Sequence, residues 1–338
     1  MLLKRLTEAI GVSSREDEVR DILREEVGQY ASIRTDALGD LIAYKEGTGP
    51  KVMLSAHMDE VGLMITGIES NGMLKFRSVG SIDPRVLVAK KVLVGKDKIP
   101  GVIGSKPIHL QKPDERTHPI KIEDMCIDIG AKDEAAAKEK VKLGDCAGFA
   151  TKYEAFQGGL IKGKAFDNRV GCAVIAEVLR HDFTLPVYGA FTVQEEVGGR
   201  GAGVVAYDVV PDVTIVLEGT TASDVAGIDP HLHATTVGQG PAITFMDGSV
   251  ISSRPVVDRL IEVAKKLDIP YQMRRSTASG TDAGKIRLTR TGMSVAVVSV
   301  PCRYIHSPVS IASLEDFNRT VALVRGFIES LQEGGLEL

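Results

Sequence analysis

The sequence predicts an α/β protein whose sheet domain is split by a β-rich insert. Three observations predict it. Helical apolar stripes alternate with continuous apolar runs near the N-terminus and again from Lys164 onward, the signature of a mainly parallel sheet covered on both faces. Between about Ile65 and Gln157 that alternation gives way to short β-like runs set among Gly, Pro and charged turns. The run Lys51 to Ala56, ahead of the break, has the same buried-strand character as the runs after it, so the flanking parts belong together. Residues 1–64 and 158–338 then form one discontinuous domain, and 65–157 the insert. The 338 residues leave room for both.

Each element follows from its pattern. Leu3, Leu6 and Ile10 form one helical stripe, and Val19, Ile22, Leu23 and Val27 a second. Gly11 breaks them, and Ser13 or Ser14 is the expected N-cap before Glu16-Asp17-Glu18. A strand, a turn at Gly47-Thr48-Gly49-Pro50 and a buried strand over Lys51 to Ala56 come next. In the insert, MLKFRSVG, RVLVAKKVLVG, GVIGSK, MCIDIG and CAGFATKYEAF read as strands of a sandwich or barrel, with one short helix over Asp133 to Val141. Beyond it, Val170 to Leu179 reads as a helix and PVYGAFTVQEE as a strand ending in acids. RGAGVVAYDVV starts a helix, DVTIVLEGT is a buried strand and Arg254 to Leu267 an amphipathic helix. MSVAVVSVP is a buried strand, and Ser313 to Leu331 the last helix.

Composition narrows the function. Net charge is only -4, from 45 acids against 41 bases, which argues against nucleic-acid binding through bulk electrostatics. No stretch approaches the ~20 apolar residues of a membrane span, and the charged N-terminus does not read as a secretion signal. Cys126, Cys146, Cys172 and Cys302 are scattered, so reduced thiols in a cytoplasmic protein are expected.

Open α/β sheets bind ligands beyond the carboxyl ends of their strands. His57 and Asp59 follow VMLSA, Glu195 and Glu196 follow GAFTVQ, Glu218 follows VTIVL, and His306 lies shortly after SVAVVSVP. Asp167 sits at a helix start in GKAFDNRVG. Taken singly, each acid reads as a cap or surface charge and each His as structural. Together, converging carboxylates would repel unless a cation neutralised them. Two His with several carboxylates suit zinc, and also cobalt or manganese. His109, His118, His181, His231 and His233 read as structural, although His109 and His118 could approach a site from the insert or a neighbouring subunit. GGRGAG (198–203) lacks the spacing of a nucleotide loop, and Cys302 reads as a buried thiol rather than a nucleophile.

These residues lie in stretches that resemble a known family. SAHMDEVG (55–62), GVIGSKPIH (101–109), IDIGAKDE (127–134), GKAFDNRVG (163–171), TVQEEVGGRGA (192–202), GQGPAI (238–243), SGTDAG (279–284) and PCRYIHSP (301–308) resemble, in order, the metallo-aminopeptidases that assemble as tetrahedral particles. This is the glutamyl-aminopeptidase-like metallopeptidase family forty-two. The resemblance implies a zinc-peptidase α/β sandwich domain with an inserted small β-barrel-like dimerisation domain. It implies two divalent metal ions per subunit, zinc being the expected metal. By the same resemblance, Asp167 would bridge both ions, His57 and Glu218 would complete one site, and Glu196 and His306 the other. Glu195 would be the general base for a metal-bridging water, and Asp59 would fix the His57 tautomer. Glu195 and Glu196 could part because consecutive residues at a strand end face opposite sides. Peptides would be the substrates, and a homo-oligomer, a dimer or a dodecamer, the assembly. Two departures stand out. Asn168 replaces the family's second Asp in Asp-Asp-Arg, lowering local negative charge, and Glu218 stands where the family uses Asp or Glu. The Gly280-Thr281-Asp282 loop is a candidate wall of the substrate site.

Two other readings compete. A glycoside hydrolase of the endoglucanase type could use paired carboxylates. It needs no His ligands, however, and the chain has no Trp and 5% aromatic residues to offer a sugar platform. A non-catalytic scaffold that keeps the fold is the other, and the intact set of ligand types argues against it.

Overall fold

A computed structural model describes residues 1–334, so the last four residues of the 158–338 segment lie outside the described residues. An 11-stranded sheet forms the main body. Its central strands, in spatial order, are Val187–Thr192, Val52–His57, Val213–Thr221 and Ser294–Arg303, all parallel. The Val52–His57 strand is buried at every residue, because helices cover both faces. The flanks depart from the mainly parallel expectation. Ser32–Thr35 and Leu41–Lys45 on one side pair antiparallel, as do Ser310–Ser313, Leu160–Gly163 and Glu154–Ala155 on the other. Several of these strands are neighbours in sequence joined by short turns, and such turns permit only antiparallel pairing.

The helices Leu2–Glu8, Asp17–Val27, Phe166–Leu179, Arg254–Lys266 and Leu314–Gly334 build a core on one face of the sheet. Ala202–Val209 and Asp282–Arg287 build a smaller core on the other. The expected Ser caps are absent. The Asp17–Val27 helix has Glu16 as its N-cap residue, and the Ser13 hydroxyl goes elsewhere.

Between two strands of this sheet, the chain leaves to form a closed barrel of Gly62–Ile68, Leu74–Val79, Met125–Asp128, Ile99–Ser105, Lys91–Val94 and Cys146–Phe149. All its pairings are antiparallel, and it has its own apolar core. The run RVLVAKKVLVG is only partly strand. Pro84–Val86 makes a single 3₁₀ turn, fixed by the Asp83 carboxylate accepting from the Arg85 amide. Among the described residues, no helix is long and apolar enough to cross a membrane.

Candidate active site

The carboxyl ends of the parallel strands carry the acids and histidines. His57 is the last residue of its strand and is buried, level with Thr192 of the neighbouring strand. Glu218 lies within the Val213–Thr221 strand rather than after it. Gly219 follows, and a Cβ there would sit 3.0 Å from the Asp167 Cα. A bare glycine therefore lets the Asp167 backbone approach the strand. Asp167 and Asn168 open the Phe166–Leu179 helix with non-helical dihedrals. His306 lies in the loop after Ser294–Arg303 with φ of 55°.

The Val187–Thr192 strand stops short of the Glu pair, which corrects the strand-end explanation for their divergence. Both Glu residues sit in a loop pinned by Asp59. The Glu195 amide donates to Asp59 Oδ1 at 3.0 Å and the Glu196 amide to Asp59 Oδ2 at 3.1 Å. The Ser13 hydroxyl donates to the same Oδ2 at 2.6 Å. The His57 Nδ1 lies 3.1 Å from the Asp59 carbonyl and 3.3 Å from Asp59 Oδ1, leaving Nε2 to face the cluster.

The Asp167 carboxylate faces two ways. Its Oδ1 is 3.3 Å from His57 Nε2, and its Oδ2 is 3.4 Å from His306 Nε2. Glu218 Oε2 lies 3.6 Å from His57 Nε2, and Glu196 Oε2 lies 3.4 Å from His306 Nε2. Two groups result, His57–Asp167–Glu218 and Asp167–Glu196–His306, and within each the candidate ligand atoms lie within 4.8 Å of one another. Each group could hold a metal ion, and three protein ligands with an open position is the usual donor set of a catalytic zinc. Among the described residues, buried Glu196 Oε1 and Glu218 Oε1 have no hydrogen-bond partner, as expected of oxygens that await a cation. Glu195 belongs to neither group, with its Oε2 3.9 Å from His57 Nε2.

The electrostatics fit the same reading. Burial, reinforced by the neighbouring acids, pushes Glu195 up to about 8 and Glu196 up to about 7, and lifts Glu218 well above the usual carboxylate range. Burial also opposes ionisation of Asp167, but the two flanking histidines outweigh it and hold Asp167 down to about 2. Burial disfavours charge on the histidines too. The surrounding carboxylates overcome it, raising His306 to about 9 and His57 well above its ordinary value. The cluster thus demands positive charge, and protons supply it where metal ions do not.

Several residues around the cluster escaped sequence reasoning. Lys164 Nζ donates to both oxygens of Glu60 at 2.7 Å and to the Ala9 carbonyl at 2.6 Å, all buried. Fully buried Arg169 donates to the Met58 carbonyl at 2.8 Å and reaches Glu60 at 3.3 Å. Lys164 and Arg169 flank Asp167 in GKAFDNRVG, and that spacing was the available signal. Asn168, the departure from Asp-Asp-Arg, donates from Nδ2 to the Leu217 carbonyl at 2.7 Å and accepts the Gly171 amide at 3.0 Å. An ionised Asp would set an oxygen against that carbonyl.

A cavity of about 310 Å³ opens beside His57, Asp167, Glu195 and Glu218. Gly280 and Thr281 line it, as expected, but Asp282 does not. Asp282 is buried behind the site, accepting from the Thr192 hydroxyl at 2.6 Å. Arg274 also lines the cavity, held by the Thr220 hydroxyl and the Ala278 carbonyl. Among the described residues, His109, His118, His181, His231 and His233 join neither group. Burial pushes the Cys302 thiol well up, which leaves it un-ionised. Gly201 packs where a Cβ would lie 2.1 Å from Asp40 Oδ1, so the GGRGAG run serves close packing.

An acid–histidine cluster able to hold metal ions, at the carboxyl ends of the parallel strands and with a barrel inserted beside it, is an arrangement suited to a hydrolase. The family model described as M42 glutamyl aminopeptidase matches residues 39–323, and the chain belongs to that family. The lysyl aminopeptidase of Pyrococcus furiosus is 32% identical over 98% of this chain and 97% of its own length. A TET aminopeptidase from a marine sediment archaeon of the Thaumarchaeota superposes with a TM-score of 0.94 at 39% identity, covering 98% of this chain and 95% of that one. The TET1 peptidase of Pyrococcus horikoshii, which can assemble into a tetrahedron or a large octahedral shell, gives 0.88 at 32%, covering 97% and 98%. A protein of Thermotoga maritima named an endoglucanase gives 0.81 at 36%, covering 97% and 99%.

Proposed function

We propose that this M42 peptidase is an aminopeptidase that uses two divalent metal ions to remove N-terminal residues from peptides. The observation that carries this reading is the Asp167 carboxylate, which presents one oxygen to each His-containing group. His57, Asp167 and Glu218 would hold one ion, and Asp167, Glu196 and His306 the other. Zinc suits this mix of imidazole and carboxylate, as do cobalt and manganese. Bound there, the ions supply Lewis acidity toward a water and a scissile carbonyl. Asp59 fixes the His57 ring and the Glu195–Glu196 loop. Glu195, committed to neither group, takes the proton of the attacking water and passes it to the leaving amine. Glu195 is ionised once positive charge fills the cluster. The cavity beside it receives the first residue. The barrel is the dimerisation domain, and the protein works in the cytoplasm as a homo-oligomer, a dimer or a dodecamer.

The endoglucanase name of one structural neighbour makes glycoside hydrolysis the second reading. Among the described residues, the cavity lining includes no Phe, Tyr or Trp ring on which a sugar could stack. One assay separates the two. Protein stripped with EDTA and protein reloaded with zinc, cobalt or manganese are tested on aminoacyl-p-nitroanilides and on carboxymethyl cellulose. Metal-dependent release of nitroaniline is expected. Equal activity of stripped and loaded protein, or cleavage of the glucan alone, refutes the proposal.

A further inference from the structure

Of the cavities that touch the cluster, two share its His306 edge and differ in kind. The first, of about 310 Å³, lies on the His57 and Glu218 side. The second, of about 1110 Å³, is a groove between the barrel and the loop 304–309. Ile305 and His306 line both, so the two adjoin at the His306 side of the cluster. We propose that the groove binds the peptide chain beyond the first residue, so that the barrel is part of the substrate site. This inference rests on the aminopeptidase reading.

The asymmetry of the cavities matches the asymmetry of the reaction. An aminopeptidase substrate has one residue ahead of the scissile bond and an open-ended number after it. The small cavity suits the one, and the large groove suits the many. The chemistry of the lining agrees. Ile82, Val86 and Val88 of the barrel give an apolar floor, and Ser78, Ser81 and Lys90 a polar rim. Apolar walls with a few polar groups are what an extended peptide needs, since its side chains seek burial and its backbone seeks hydrogen bonds. Loop 304–309 forms the other wall and also carries His306, so a chain lying in the groove is registered directly against the cluster.

Ser81 and Ser78 are exposed, so bulky substitutions there fill the groove without disturbing the core. The experiment compares kcat/KM for wild type, Ser81→Trp and Ser78→Trp on three substrates sharing the best-cleaved N-terminal residue. These are its p-nitroanilide, a dipeptide and a pentapeptide. Wild type is expected to favour the pentapeptide over the dipeptide by about tenfold, the scale of burying one more apolar side chain. At least one Trp variant is expected to lose that advantage through KM while nitroanilide hydrolysis stays within about twofold. Indifference of wild type to peptide length overturns the inference, as does equal loss on all substrates or no loss in either variant. Light scattering is measured alongside. A Trp variant that breaks the assembly while length dependence persists would show the groove covered by a second copy, which also overturns it. Failure of wild type to cleave any of the three sinks the aminopeptidase reading instead.

Discussion

Glu195 and Glu196 are adjacent and chemically identical, yet the fold gives them different surroundings. Glu196 Oε2 faces His306, while Glu195 stands outside both candidate ligand groups. Asp59 separates them by accepting both of their backbone amides. Glu195→Gln should therefore leave metal content unchanged, measured by plasma emission, and lower turnover at least ~100-fold, the scale of a lost general base. Normal turnover in that variant would remove Glu195 from the mechanism. Ser13→Ala tests the support behind it. It deletes the 2.6 Å hydrogen bond to Asp59 and should lower kcat by about tenfold with metal content retained, the effect of a ligand support being weakened. Unaltered kcat would mean that the two Glu amides and His57 hold Asp59 unaided. His57, Glu195, Glu196, Glu218 and His306 were legible in the sequence because each lies in or soon after an apolar strand run, and Asp167 because it precedes a helical stripe. Ser13 was not, because a serine before an acidic turn reads locally as a cap, and its real partner lies 46 residues away.

At the scale of elements, the His57 strand end, the start of the Phe166–Leu179 helix and the N-terminal segment meet through one buried ionic knot. Lys164 and Arg169 converge on Glu60, and none of the three side chains is more than 3% exposed. Burial pushes Lys164 down to about 8, although Glu60 opposes the shift. Breaking such a knot leaves buried charge without compensation. Glu60→Gln should cost about 3–5 kcal/mol in urea unfolding of the stripped protein. A cost below ~1 kcal/mol would mean that water or rearrangement replaces the carboxylate. The break between α/β and β-rich texture was legible because the two periodicities differ. The residue pattern alone left sandwich and barrel open, because closure depends on long-range pairing such as Leu63 with Ala147, and the family resemblance gave the barrel that the structure shows. The antiparallel character of the sheet's flanks was not legible, since pairing geometry decides it rather than apolar patterning.

For the whole molecule, the site sets how stability depends on pH and metal. In the metal-free protein His306 holds its proton up to about 9. A folded pKa above the unfolded value stabilises below about 6.5, and that contribution is lost as pH rises through 9. Glu195 and Glu196 work in the same sense. Unfolded, they ionise near 4.5, but folded they keep their protons to about 8 and about 7, so rising pH favours unfolding across that window. Asp167 opposes them only in acid, where its contribution is lost as pH falls from 3.8 through about 2. Stripped protein should therefore melt at a lower temperature at pH 8 than at pH 6. On the proposed function divalent ions would replace those protons, so loading should release protons and bind more tightly as pH rises. Calorimetry of stripped and cobalt-loaded protein at the two pH values tests this. The gap in melting temperature between loaded and stripped forms should be wider at pH 8. A constant or narrower gap would show that the protons on His306, Glu195 and Glu196 and the metal ions do not compete, and the ligand assignment would fail with it.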